Sequence, residues 1–349
     1  MAKQSGIWKK IYKHHLFLPL VALSLVMLAN LLLNGPSFFS VSINNGVLYG
    51  RLIDILNRAS ELVVLAVGMT LVIASSGGTD ISVGSVSCVA GAVIVSFLGS
   101  GSTYAVPFVV GVLLAMLTGF VCGAWNGFLV ARLKIQPMVA TLILFTGGRG
   151  IALLITNGQN LYVRVESYKW IGGTLPHIPI PTAIFIAAIV VVVVTLFLRY
   201  TATGLYVQSV GINRKAARMV GPNSTLIIFL CYAFCGMCAG IAGIIMTSRI
   251  GSIDPNQVGL NYELDAILAV ALGGNSLAGG KFKVSGSVIG AITIQALTTT
   301  LYALRVTADQ LPIYKAIVVI LIVSLQSPEF HRYRRNLMRR LMGRKVVQG

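Results

Sequence analysis

Charge is what this chain has least of. Of 349 residues only 10% are charged and 56% are hydrophobic, and mean hydropathy is +0.85. An ordinary soluble domain carries roughly 25% charged residues. A soluble fold of this length would need more charge to cover its surface, which excludes a soluble enzyme domain and a disordered chain alike. Acids are scarcest: 9 Asp and Glu stand against 27 Lys and Arg, for a net charge of +18. On a polar domain that excess of base would point to nucleic acid. Here the bases punctuate long apolar runs, which is the pattern of a polytopic membrane protein and excludes a nucleic-acid partner. The 5 cysteines do not form the disulfide framework of a small secreted protein.

Catalytic groupings are missing too. The histidines, His14, His15, His177 and His331, fall in loops or ends, and no His–carboxylate or Ser–His–Asp grouping can be assembled. No catalytic residue, metal site or cofactor is expected, and a membrane enzyme acting on lipid is disfavoured. Chains of acids inside the apolar runs, which proton-coupled carriers use, are absent as well. The nearest string to a phosphate-binding loop, NSLAGGKF at 275–282, lacks the first Gly and the final Ser or Thr. If ATP drives this protein, another chain hydrolyses it.

What the chain has in abundance is apolar runs. About 20 helical residues cross roughly 30 Å of hydrocarbon. Candidate runs cover 16–33, 62–76, 81–98, 106–131, 138–155, 182–198, 226–246, 264–272, 285–301 and 313–325, about ten spans in one transmembrane domain over 1–349. The first is longer than a signal-peptide core, lacks a small-x-small cleavage site and ends at Asn34-Gly35-Pro36, so it reads as a retained span. Ten spans place both termini on one side. That side holds residues 1–15 with Lys3, Lys9, Lys10 and Lys13, then Arg132 and Lys134, the loop 199–225, Lys281 and Lys283, and the basic tail 328–349. The opposite loops hold Arg51, Arg58, Arg164, Lys169, Arg249, Arg305 and Lys315 with most of the acids. Basic loops stay in the cytoplasm, so both termini are expected there. The tail is read first as a topology anchor, with contact to anionic lipid as an additional role.

Glycine is plentiful, at 37 residues. Gly119, Gly123 and Gly127 repeat every four residues, as do Gly236 and Gly240, and Gly286 and Gly290. In a bilayer such small faces let helices approach closely. Cys231, Cys235 and Cys238 share one helical face and read as small apolar packing. There is also an internal echo: Gly77-Gly78 and Gly273-Gly274 each break an apolar run just before a Gly-rich helix. Paired short, broken elements point to a transporter built from repeats.

Three polar features call for roles. Asp80, in the turn before the third run, suits a helix cap or a substrate contact. Arg149 is expected near the outer boundary, where it could snorkel. The loop 199–225 carries a short helix started by Asn213 as N-cap and stopped by Gly221-Pro222. That helix suits either docking on a partner or a connector held at the lipid surface.

At this point the residues resemble a known family. LAVGMTLVIASSGGTDISVGS at 65–85, VGINRKAARMVG at 210–221 and LDAILAVALGGNSLAGG at 264–280 are similar to the recurring blocks of ribose-type permeases of bacterial ABC sugar importers. IDILNR at 53–58 and WNGFLVARLKIQP at 125–137 look closest to the galactofuranose-type members. The resemblance spans about 54–325; Thr79 stands where Ile is expected, and Asn275 where a small residue such as Gly is expected. It implies a type II-like importer permease in the bacterial inner membrane. Its partners would be ABC ATPase subunits, a second permease chain, identical or homologous, and a periplasmic sugar-binding protein, with a monosaccharide as substrate. It also implies that Gly211, Asn213, Arg214, Ala216, Ala217 and Gly221 couple the chain to the ATPase. For the translocation pathway the candidates are Asp80, Trp125, Asn126, Thr146, Asn275 and Gln295, each equally able to link helices. The rival reading is a self-sufficient carrier or channel for a small polar solute.

Overall fold

A computed structural model describes residues 16–44 and 46–326. The basic segment 1–15 and the tail 328–349 expected from the sequence lie outside them. The helices, in chain order, are α1 (Phe17–Asn34), α2 (Arg51–Ser76), α3 (Val83–Leu98), α4 (Phe108–Ala131), α5 (Pro137–Ile155), α6 (Glu166–Lys169), α7 (Thr182–Tyr200), α8 (Thr203–Ile212), α9 (Arg214–Met219), α10 (Ser224–Ile250), α11 (Tyr262–Leu272), α12 (Val284–Ala303) and α13 (Leu311–Gln326). Two small antiparallel pairs accompany them: β1 (Ser42–Asn44) with β2 (Val47–Tyr49), and β3 (Leu161–Tyr162) with β4 (Ser252–Ile253).

Six helices, α2, α4, α5, α7, α10 and α12, are long and apolar enough to cross a bilayer; α1, α3 and α13 contain shorter apolar stretches. At about 1.5 Å per residue, the 11 residues of α11 reach only about half-way through the hydrocarbon. The fold is therefore an all-α polytopic membrane bundle, with about ten apolar segments as the sequence leads one to expect. One boundary differs. The second run, expected from 62, starts as a helix at Arg51, and of its earlier polar residues Asn57 and Glu61 are bonded by Arg249.

α10 is the central post, packed against α4, α2 and α3, and α12 lies between α2 and α11. The glycine faces meet one another. A Cβ added to Gly123 would stand 2.9 Å from Gly236 Cα, and one added to Gly236 would stand 2.7 Å from Gly123 Cα. α4 and α10 thus touch backbone to backbone, a distance that only the missing side chains permit. Gly286 and Gly290 make the same kind of contact with Gly273 and Ala269. Of the cysteine face, Cys235 and Cys238 pack against Gly68 of α2.

Two ion pairs add to what the sequence implies. Glu61, buried on α2, takes a two-pronged bond from Arg249 at the end of α10, at 2.5 and 2.9 Å. Arg249 also donates to the Asn57 carbonyl, and the Tyr262 hydroxyl reaches Glu61. This knot joins α2, α10 and α11. Lys315 of α13, expected in an outer loop, donates to Asp265 of α11 at 2.7 Å. Arg149 does not snorkel: Nη1 donates to the carbonyls of Pro255 and Val258 at 3.0 and 3.3 Å, holding the loop before α11.

Candidate coupling elbow and cavity

The first glycine break, at Gly77, meets residues 278–280 of the loop that follows the second break at Gly273-Gly274. α2 ends at Gly77, which takes a left-handed φ of +66° and donates to Ile73 O. A side chain there would be strained in backbone and would press on Ala278 O at 2.9 Å. Gly279, with φ +89°, sits against Gly77, and the Gly280 amide donates to Ala74 O at 2.9 Å. Asn275 clips the second break closed. Its Oδ1 accepts from Lys283 N at 2.7 Å, and its Nδ2 donates to Ser287 Oγ at 2.8 Å. Ser287 in turn bonds Thr70 of α2.

The elbow formed by α8 and α9 rests on this junction. A Cβ on Gly211 would collide with Ala74 O and Gly280 N, and Ile212 lies against Gly280. Arg214 Nη2 donates to Ser76 O at 2.8 Å. α9 begins at Asn213, whose Oδ1 accepts the amides of Lys215 and Ala216 at 3.0 and 3.1 Å. Gly221 follows at φ +112°. Ala217 is buried within the chain, whereas Ala216 is exposed. Met219 and Val220 are 89% and 84% exposed, the highest values among the described large apolar residues.

The pathway candidates scatter. Asp80 Oδ1 accepts the amide and hydroxyl of Ser82 at 2.9 and 2.6 Å, so its carboxyl shapes the turn two residues ahead of the α3 cap position, Ser82. Asn126 Nδ2 donates to the same Ser82 hydroxyl at 2.8 Å, while Asn126 Oδ1 is buried with no partner among the described residues. Trp125 is half-exposed on α4. Thr146 is bonded to its own helix at Leu142 O. Asn275 belongs to the break just described. Of the six, Gln295 alone lines the principal cavity.

That cavity has a volume of about 1180 Å³ and lies between the first turns of α2, the C-terminal half of α12, α11 and α13, against roughly 300–1,000 Å³ for common small-molecule sites. Arg51, Asp54 and Arg58 stand on one wall, Asp265 and Lys315 on another, and Gln295, Thr298, Thr299 and Tyr302 on a third. The last four are spaced i, i+3, i+4, i+7, a single helical face, and that stripe was legible in the sequence. The Asp265–Lys315 pair was not, because its members are 50 positions apart.

The family model described as the branched-chain amino acid transport system / permease component matches residues 51–325. The chain belongs to this family. As one of its permeases it is a transport component of an ABC importer, a multi-pass protein of the inner membrane. This permease is 45% identical over 312 residues to the galactofuranose transporter permease protein YtfT of Escherichia coli (strain K12), covering 89% of each chain. It is 38% identical to the fructose import permease protein FruF of Bifidobacterium longum (strain NCC 2705), covering 97% of this chain and 95% of that one. It is also 38% identical to the ribose import permease protein RbsC of Escherichia coli (strain K12), covering 88% and 92%. No solved structure matches the permease.

Proposed function

We propose that this permease moves a neutral monosaccharide into the cytoplasm by alternating access, driven by separate ATPase subunits that dock on the α8–α9 elbow. The observation that carries this reading is the position of the elbow. Its inner side, through Gly211 and Arg214, is seated on the backbone of the end of α2 and of Gly280 in the loop between α11 and α12. Its outer side presents Met219 and Val220 to whatever lies outside the chain. A push on α9 is thereby delivered to the end of α2 and to the loop between α11 and α12. Exposed apolar side chains on a polar loop suit a partner's groove.

In this reading the chain is one transmembrane domain with both termini and the elbow in the cytoplasm, consistent with its basic inner loops. A second permease chain completes the pathway, and a periplasmic binding protein docks on the outer loops and delivers the sugar. The named relatives favour a pentose or hexose, with galactofuranose the first to test on the 45% identity. Asp80, Trp125, Asn126, Thr146, Asn275 and Gln295 are proposed pathway or gate residues.

The test uses the permease with its ATPase and binding protein in proteoliposomes, measuring ATP-driven sugar uptake. Ala216→Glu and Met219→Glu change exposed side chains, so the protein should insert normally and uptake should be abolished. Undiminished uptake by both variants, or uphill transport by the permease alone, overturns the proposal and favours a lipid-surface connector or a self-sufficient carrier.

A further inference from the structure

We infer that the cavity between α11, α12 and α13 holds sugar in transit, with Gln295 and the Asp265–Lys315 pair hydrogen-bonding its ring hydroxyls. The inference deepens the importer reading and rests on it.

Gln295 supplies the first argument. It is only 8% exposed and lines the cavity, yet its side-chain amide makes no hydrogen bond to a described residue. A glutamine amide offers two donor protons and a carbonyl acceptor, and here both are free to bond whatever fills the cavity. Its neighbours on the same face of α12 are arranged to accept. Thr298 and Thr299 spend their hydroxyl protons on the carbonyls of Ile294 and Gln295 at 2.9 and 3.0 Å, which leaves oxygen lone pairs available.

The second argument comes from the opposite wall. Asp265 and Lys315 are 13% and 12% exposed at the side chain and 2.7 Å apart. The single bond uses Asp265 Oδ2 and one of the three ammonium protons, leaving Oδ1 and two N–H donors. Such a largely buried pair is costly to desolvate and adds little to stability, which makes it a functional candidate. A sugar hydroxyl donates and accepts at once, so walls offering an amide, a carboxylate and an ammonium group hold partners for it.

Wild-type complex in proteoliposomes is first assayed for ATP-driven uptake of galactofuranose, ribose and fructose; loss of all three would sink the importer reading itself. With uptake present, Thr299→Cys is labelled by a water-soluble maleimide with and without the transported sugar. The five native cysteines are buried or half-buried, and the unsubstituted protein gives their background. The site predicts that sugar slows labelling at position 299, and that Gln295→Leu raises the sugar concentration needed for protection about tenfold, which is the worth of 1.4 kcal/mol. Tyr302→Cys repeats the measurement should Thr299→Cys insert poorly. Finally, the exchange Asp265→Lys with Lys315→Asp keeps a pair but reverses its walls. It should restore the thermal midpoint lost in either single variant without restoring uptake. Labelling indifferent to sugar at both positions, or full uptake by the exchanged pair, overturns the inference and leaves the ion pair a structural brace.

Discussion

Replacing Asn213 by Ala removes the cap of α9 and nothing else. The residue is exposed, and its backbone is extended at φ −156°, a conformation that alanine adopts without strain. What is lost is the acceptor for the amides of Lys215 and Ala216, worth about 1 kcal/mol with a range of 0.5–2. α9 has 6 residues, far below the roughly 12–15 that an isolated helix needs to persist in water. It therefore depends on the cap, on buried Ala217 and on the bond from Arg214 to Ser76. With RT near 0.59 kcal/mol, losing about 1 kcal/mol shifts the ratio of folded to open α9 about fivefold. Hydrogen exchange read by mass spectrometry should show it. The amides of Ala217 and Val220, bonded to Asn213 O and Ala217 O, should exchange about fivefold faster, while those of α10 keep their rate. Asn213→Asp and Asn213→Ser, which keep an acceptor, should behave as wild type. ATP-driven uptake should fall in Asn213→Ala by a similar factor, because a frayed α9 transmits less of the ATPase motion. Equal exchange in the Ala and wild-type proteins would refute the capping argument. Fast exchange with undiminished uptake would refute the coupling role.

Further outcomes follow from the packing. Gly123→Val places a branched side chain where Tyr232 O and the Gly236 backbone lie, and overpacking there should cost about 1–3 kcal/mol or more; the thermal midpoint in detergent should fall, while Leu117→Ala on the exposed side of α4 leaves it nearly unchanged. Glu61→Gln strands Arg249 among buried groups and should destabilise by roughly 3–5 kcal/mol, with the double variant Glu61→Gln, Arg249→Met less damaged than Glu61→Gln alone in the same melt. Asp80→Ala leaves the Ser82 amide and hydroxyl without their acceptor, at about 1–3 kcal/mol; Asp80→Asn keeps a carbonyl in place and should melt closer to wild type.

Features carried by local spacing are legible in the amino-acid order alone. Period-four glycines imply close helix contact whichever helix is the partner, and α4 with α10, and α12 with its neighbours, bear this out. The cap at Asn213 and the stop at Gly221-Pro222 are also local: each involves groups within a few residues, so side-chain chemistry and order along the chain suffice. Hydropathy places the start of α2 too late for a related reason. It counts Asp54, Arg58 and Glu61 against a span, but it cannot register that Glu61 has Arg249 to neutralise it.

Length, apolar periodicity and the uneven distribution of basic residues thus specify by themselves a polytopic helical bundle with a basic, helix-bearing loop, because lipid admits few other ways to satisfy a backbone. Tertiary structure alone decides which charges are paired, since Glu61 and Arg249 are 188 positions apart and nothing along the chain announces that they meet. It likewise decides that Ala217 turns inward while Met219 and Val220 face out, and that Gly77 and the loop residue Gly279 share one junction beneath the elbow. Such outcomes depend on how whole helices are placed against one another, which the contacts of all of them settle jointly.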